Sequence, residues 1–465
     1  MNESDNNENS PKIWSGAGPD EVAADLRPLV DFRDEGLPLK ELEKMLEKRL
    51  VPHLVRYDRP AFHSLYNFIP EPGARLGGEL ALRWNQGVTN WIVSPGGVML
   101  EEMCGEALCR LFGLGPDAAA TFMYCGTYAN QQALYLALHR AAERRGFDLA
   151  RTGISGFPDP GRLAILTSAD AHFSLRHAAR MLGMGENSLI PVPVDADRRM
   201  HSGALADTVE TLKGRRDIIA VAATAGTTST ASVDPAPPVI EVCRKVGAWF
   251  HLDAAYGFSY KLLPECAPLF KGAEEADSIT WDPHKNFGVP IPNSVLFVRE
   301  RRDFERMSIF GKYFNREEDP EPNPGLKSPP STRPLSALPL VATLRHLGVE
   351  GMRERLRGPF RAVRKLAEYL RGEPDMEPAH RPDLSLLCLR VTPPGVPSAR
   401  LDELQSYIHE RIKREARRSL SISRLDDRTV LRLVAISPGV TFEALRETID
   451  HARELAADWR REQGL

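Results

Sequence analysis

Short apolar runs and amphipathic stretches alternate through the middle of this chain. LAILTS (163–168), IIAVAAT (218–224), AWFHLD (248–253), SITW (278–281) and SVLFV (294–298) are apolar runs of strand length. SLRHAARMLG (174–183) and PPVIEVCRKVG (237–247) lie between them, with apolar positions at helical spacing. VMLEEMCGEALCRLF (98–112) and ANQQALYLALHRAAERR (129–145) read the same way ahead of them. Strands apolar on both faces, alternating with helices, predict an α/β fold with a mostly parallel sheet covered on both sides.

The flanks differ. DEVAADLRPLVDF (20–32) and LKELEKMLEKRLV (39–51) predict two helices, and residues 63–95, rich in Gly, Pro and aromatics, read as irregular. Prolines and charges make NREEDPEPNPGLKSPPSTRP (315–334) a loop or linker. Beyond it the pattern predicts helices at 335–348, 350–371, 401–417 and 442–461, with strands near LLCLRV and VLRLVAI. The chain therefore divides into a disordered tail (1–12), an N-terminal helical, wrapping segment (13–95), a large α/β domain (96–314), a linker (315–334) and a small α+β domain (335–465).

Composition narrows the function. The chain has 465 residues, 42% hydrophobic and 26% charged, with a formal net charge of -3. No overall positive field favours nucleic acid, and no apolar run reaches the roughly 20 residues of a membrane-spanning helix. The start, MNESDNNENSPK, has the character of neither a secretory signal nor an Arg-rich transit peptide, so a cytoplasmic protein is expected. Six scattered cysteines without a CxxC pair point to reduced thiols and no zinc.

Candidate chemistry collects where strands end, the edge at which open α/β sheets bind ligands. ADAHFS with His172 follows LAILTS, AGTTST follows Thr224, DAAYG begins at Asp253, and DPHK follows SITW. The Gly126-Thr127 turn precedes a helix, whose free N–H groups and dipole favour phosphate. Taken singly, each has an ordinary explanation: a helix cap, a satisfied histidine, a turn carboxylate, a surface lysine. Together they form a phosphate cradle, an aromatic stacker, a carboxylate and a lysine, the set that pyridoxal phosphate requires. Lys285 would form the Schiff base, which removes the cost of a buried ammonium. Asp253 would keep the pyridine nitrogen protonated and His172 would stack on the ring, with Thr227, Thr228 and His284 offering hydrogen bonds nearby.

Seven stretches carry a resemblance to a known family: VSPGGVMLEE (93–102), CGTYANQQAL (125–134), ADAHFSLRHAARMLGMG (169–185), ATAGTTSTASVDP (223–235), WFHLDAAYGFS (249–259), ADSITWDPHK (276–285) and VLRLVAISPGVTFEALRETIDHARELAADW (430–459). In this order they resemble the group II pyridoxal-phosphate-dependent amino acid decarboxylases. The resemblance implies an aminotransferase-like (fold type I) large domain with a seven-stranded-type sheet and a small C-terminal domain. It also implies a homodimer with active sites at the interface and decarboxylation of an L-amino acid to amine and CO2. By position, Lys285 is the Schiff-base residue, Asp253 the pyridinium partner, Ala255 and Thr224 lie near the ring, and His172 stacks on it. The turn Thr127, Tyr128, Ala129 holds the phosphate, helped by Asp282.

Three departures stand out. Ala129 replaces a serine of many members, Asp282 replaces an asparagine frequent in aromatic decarboxylases, and NFGVPIPNS follows the lysine, which is expected to reshape the pocket. Tyr313, in the lid-like SIFGKYFNREEDPEPNPG (308–325), is the expected proton donor to Cα. Phe68, Trp91 and Ile92 would line the substrate pocket and suit a neutral or aromatic side chain. The alternatives are decarboxylation coupled to oxidative deamination, which gives an aldehyde, and a carbon–carbon lyase with the same cofactor.

Overall fold

The structure, a computed structural model, describes residues 11–311, 316–317 and 320–465. One sheet is built from β1 (Ala119–Met123), β2 (Leu163–Ser168), β3 (Leu189–Val192), β4 (Asp217–Thr224), β5 (Trp249–Asp253), β6 (Ser278–Trp281) and β7 (Ser294–Val298). Its spatial order is β1-β7-β6-β5-β4-β2-β3. Strands β3, β2, β4, β5 and β6 pair in parallel, while β7 runs antiparallel to both neighbours, β6 and β1. Every residue of β1, β2, β5, β6 and β7 is buried, which requires cover on both faces.

The helices preceding the first strand are α1 (Pro19–Leu26), α2 (Leu39–Arg49), α3 (Pro72–Trp84) and α4 (Pro95–Leu111). Next come α5 (Gly126–Glu143), α6 (Ser174–Met181), α7 (Ser202–Leu212) and α8 (Ala236–Val246). Helix α5 packs along β4 to β7, and α8 packs against β4 and β5. The core between sheet and helices is small-residue rich on the helix side, with Ala129, Ala133, Ala137 and Ala141 of α5 against Leu163, Ile165, Trp249 and Leu296. Alanine on the buried face lets a helix lie close to the sheet without loss of helix propensity.

The expected strands and helices of the middle region are present, within one to three residues at their ends. Up to β7 the sequence pattern missed β1, β3, α3 and α7. Both missed strands lie at the sheet edges, and β3 (LIPV) contains a proline that only an edge strand tolerates. Residues 63–95 are not irregular throughout, because 72–84 form α3. Its glycines, which read as turn signals, are close-approach positions. A Cβ on Gly73 would sit 2.7 Å from the Ala342 carbonyl oxygen, and one on Gly77 would sit 2.8 Å from Pro339 Cα.

The chain forms two compact units. One is Ile69–Arg357 with Pro382–Leu384, and it contains the whole seven-stranded sheet. The other joins the residues before Ile69 to Gly358–Arg381 and Ser385–Leu465. The cuts read from composition fell at 95/96 and 334/335. The α3 contacts just described show why 72–84 and the first turns after 337 belong with the large unit. A long helical stretch, α9 (Ala337–Leu370), breaks at Gly348, whose φ of 68° is open to glycine.

The second unit has a four-stranded antiparallel sheet of order β10-β11-β9-β8, from β8 (Met376–Pro378), β9 (Leu386–Val391), β10 (Ser421–Leu425) and β11 (Arg428–Val434). Helices α10 (Leu401–Glu415) and α11 (Phe442–Gln463) cover it, with Ile408, Ile412, Leu445, Ile449 and Trp459 against Leu387, Leu389, Leu431 and Leu433. All six cysteines are free thiols. Among the described residues no helix is long and apolar enough to cross a membrane.

One buried group in this unit makes its stability depend on pH. His63 is fully buried, its N–H donates to Ser419 Oγ and its carbonyl accepts from Val434 N, and burial pushes its imidazole down to about 3. The unfolded chain takes a proton near 6.5, while the folded chain resists until about 3. The contribution of His63 is therefore complete above pH 6.5 and is lost as pH falls toward 3. Chemical unfolding of His63→Phe at pH 7 and pH 5 should show a smaller acid loss than wild type, by about 1 kcal/mol per pH unit. Parallel pH slopes for the two proteins would remove this account.

Candidate active site

Parallel strands β2, β4, β5 and β6 all end at one edge of the sheet, and helix α5 begins there. The register sets Thr224 beside Asp253 and Asp253 beside Thr280. A pocket of about 170 Å³ opens at this edge. Of the residues read from sequence it brings together Thr127, His172, Thr224, Thr228, Asp253, Ala255, Asp282 and Lys285. Gly126 of the expected turn lines it too, and it adds Cys125, Asn130, Ser174, Gly226 and Tyr256.

Asp253 is 4% exposed, so its carboxylate must be satisfied by the protein. Asn130 Nδ2 donates to Oδ2 at 2.7 Å, and Ala255 N donates to Oδ1 at 3.2 Å. Asn130 escaped the sequence reading. Its signal was an amide at a position of α5 flanked by the apolar face Ala129, Ala133 and Leu134, where a polar side chain needs a partner.

Lys285 sits in a single helical turn, Pro283–Asn286, directly after β6. Its Nζ lies 3.3 Å from Asp282 Oδ2. Asp282 is itself buried and accepts from Ser294 Oγ at 2.5 Å. The same carboxylate lies on the first residue of α5: a Cβ on Gly126 would be 2.7 Å from Oδ2, so only glycine fits.

Of the unusual residues after the lysine, Asn286 and Phe287 point into the core rather than the pocket. Asn286 accepts from Ser259 Oγ at 2.6 Å and donates to the Tyr256 carbonyl at 3.1 Å. Phe287 is fully buried with its ring edge-on to Trp281, centroids 5.0 Å apart. Trp281 Nε1 closes the set by donating to Ser259 Oγ. NFGVP is thus an anchor that fixes the turn carrying Lys285.

The 225–234 turn is held from within. Asp234 accepts from Met200 N at 2.6 Å and Thr224 N at 2.8 Å, and its own N–H returns to the Thr224 carbonyl. Burial pushes the Asp234 carboxyl up to about 7 against these donors. Thr227, Thr230 and Ser232 share their hydroxyls with one another, so the Thr227 hydroxyl is spent inside the turn. Thr224 Oγ1 is different: it is buried on the pocket wall with no hydrogen-bond partner among the described residues. His172 packs on Phe173 at 3.9 Å and accepts from Ser174 N, and burial lowers its pKa.

Other expected residues stand off the pocket wall. Tyr128 is exposed and the Ala129 methyl is in the core under α5. His284 turns to Asn293, whose carbonyl lies 2.5 Å from Nδ1. Trp91 and Ile92 lie on the surface of the chain, and Phe68 is buried in the other compact unit. Tyr313 lies outside the described residues.

Comparison with known proteins agrees with this geometry. Residues 24–392 match a family model described as the pyridoxal-dependent decarboxylase conserved domain. The chain is 31% identical over 378 residues to an L-2,4-diaminobutyrate decarboxylase of Rhizobium meliloti, covering 80% of this chain and 73% of the relative. It is 26% identical to the acidic amino acid decarboxylase GADL1 of Mus musculus, over 93% of this chain and 80% of that protein. The crystal structure of Oryza sativa TDC with PLP and tryptamine shares the fold, with a TM-score of 0.88, 21% identity and coverage of 97% and 94%. The chain belongs to the pyridoxal-dependent decarboxylase family, and its cofactor is pyridoxal phosphate.

The pocket suits that cofactor on its own terms, because the orphaned Thr224 hydroxyl offers it a hydrogen bond that no protein group takes. Thr224→Val should therefore act in opposite directions. Without cofactor the variant should gain about 1 kcal/mol in unfolding free energy, since an unpaired buried hydroxyl is costly. Pyridoxal phosphate should bind it about tenfold more weakly in a fluorescence titration. Unchanged affinity would show that the hydroxyl is not a cofactor ligand.

Proposed function

We propose that this member of the pyridoxal-dependent decarboxylase family removes the α-carboxylate of an L-amino acid with an uncharged side chain, releasing CO2 and the amine. The observation that carries the reading is the convergence of Lys285, Asp253 and His172 on one pocket at the strand ends. Lys285 would hold the cofactor through Nζ, Asp253 would face its ring nitrogen, and the first turn of α5 with Thr127 would take its phosphate. Bound there, pyridoxal phosphate supplies an electron sink for the pair left when the Cα–carboxylate bond breaks.

The chain's own groups do the rest. Asp253 is held by neutral N–H donors, which stabilise its charge without cancelling it. His172, with its pKa lowered by burial, offers a neutral ring face. Asp282 is placed to receive the Lys285 ammonium whenever the substrate amine displaces the lysine. Tyr313 would return the proton to Cα, which makes the product an amine.

Support for an uncharged substrate comes from the wall itself, where Lys285 is the only Lys or Arg among the lining residues. Among the described lining residues, no Lys or Arg besides Lys285 offers an acidic side chain a counter-charge. A second reading is L-2,4-diaminobutyrate, favoured by the 31% identity to a decarboxylase of that name. CO2 release measured on aromatic, aliphatic, acidic and diamino acids should be greatest with the first two, in equal amounts with amine. Preference for diaminobutyrate would favour the second reading, and aldehyde with ammonia and peroxide would overturn amine formation. Lys285→Ala should abolish both turnover and the visible absorbance of the loaded protein, and retention of both would sink the site.

The homodimer is also proposed. Phe32, Leu39, Leu82, Trp84 and Ile92 are exposed, and neither α1 nor α2 buries a residue within the chain. Sedimentation equilibrium should give twice the chain mass at micromolar concentration, and a monomer there would refute the proposal.

A further inference from the structure

A line of buried polar groups runs behind Asp253, and its hydrogen positions follow from the acceptors and donors available. Asn130 Nδ2 donates to Asp253 Oδ2 and, at 2.8 Å, to Ser174 Oγ. Asn130 Oδ1 lies 3.0 Å from His251 Nε2, His251 Nδ1 lies 2.9 Å from Ser278 Oγ, and Trp249 Nε1 donates to Ser278 Oγ at 2.7 Å. Trp249, Ser278, His251, Asn130, Ser174 and Asp253 are all buried.

An amide oxygen facing Asp253 would set two acceptors together, so the Asn130 nitrogen must face the carboxylate. Asn130 Oδ1 then needs a donor, which makes Nε2 the protonated nitrogen of His251. His251 Nδ1 must accept, and the Ser278 hydroxyl supplies its proton while its oxygen takes the Trp249 N–H. Burial pushes His251 down to about 4, so at neutral pH it carries the single proton this pattern needs. The β5 register provides the spacing, since residues 249, 251 and 253 share one face of the strand.

We propose that His251 is a positioning residue: its Nε2–H locks the Asn130 amide in the one orientation that donates to Asp253, and so holds that carboxylate toward the pocket. With the lock removed, the amide is free to turn its oxygen to Asp253, which costs a hydrogen bond and adds a repulsion. This inference rests on the reading of Asp253 as the partner of the cofactor's ring nitrogen. Histidine in the HLDAAY segment thereby has a function distinct from packing.

The test uses full-length protein with three readouts: fluorescence titration with pyridoxal phosphate, the ratio of visible to near-ultraviolet absorbance at saturating cofactor, and thermal unfolding without cofactor. Asn130→Ala and His251→Phe should weaken cofactor binding about tenfold or more and lower the absorbance ratio. His251→Gln, whose amide N–H reaches the position of Nε2, should keep both near wild type. Ser278→Ala should fall between, because His251 is then free to carry its proton on either nitrogen. A purely structural histidine would lower the melting temperature in His251→Phe and His251→Gln alike and leave the ratio at saturation unchanged, and that result would overturn the proposal. If His251→Phe does not fold, Ser278→Ala decides: wild-type affinity and ratio there also overturn it. If wild-type protein develops no visible band with the cofactor, the reading of the pocket itself falls, whereas a wild-type band with unaltered variants removes the His251 role alone.

Discussion

A carboxylate buried at the end of a central strand is the constraint on which the rest of this site depends. Asp253 is taken out of water, and an unpaired buried charge would cost several kcal/mol or force the group to protonate. The fold meets that cost with N–H donors, from Asn130 and the Ala255 backbone, and not with an arginine or lysine. Such donors stabilise the charge without cancelling it. This requires α5 to start beside β5 with Asn130 as its fifth residue, and the alanines that let α5 lie close to the sheet serve that placement as well as packing.

The second acid of the pocket follows a different rule. Asp282 lies against Gly126 at the start of α5, the place where a phosphate is expected. Two anions at one helix terminus repel each other unless one is compensated. Asp282 accepts from the Ser294 hydroxyl and, before Lys285 takes up a cofactor, lies 3.3 Å from its Nζ, which leaves the backbone N–H groups of the following turn for a ligand. The core anchors of NFGVP matter here, because Asn286 and Phe287 fix the short turn that carries Lys285 to within reach of Asp282.

Most of the sheet was legible in the sequence, although β1, buried at every residue, was not. Strands β2, β5, β6 and β7 are buried throughout and mostly apolar, and were readable as strands, while the edge strand LIPV has neither length nor alternation to mark it. Helix α3 was hidden because glycine has two uses, and the sequence does not say whether a glycine turns the chain or lets two helices touch. At the site, the residues carrying chemistry were legible because strand ends are few and their followers are distinctive. Asn130, Ser174 and Ser278 were not, because their importance lies in which atoms face each other across elements 27 or more residues apart, a tertiary fact. His284 shows the converse: it is adjacent to Lys285 in sequence, but the turn directs it to Asn293.

The contrast between the Asn130 network and the Thr224 hydroxyl separates two jobs that polar groups do in one pocket. Behind Asp253 every donor and acceptor from Trp249 to Asn130 is matched, and a fully matched network in a low-dielectric interior is rigid because any rotation leaves an orphan. On the open side, Thr224 Oγ1 is left unmatched, and that deficit is carried by the fold until a ligand supplies the missing bond. Completing the rigid half first means that a ligand meets groups already aimed, and little of its binding free energy is spent on ordering side chains. The same division explains why Asp234 is buried so deeply behind Thr224: two backbone donors fix the strand end, so the unmatched hydroxyl is held in place by the main chain alone.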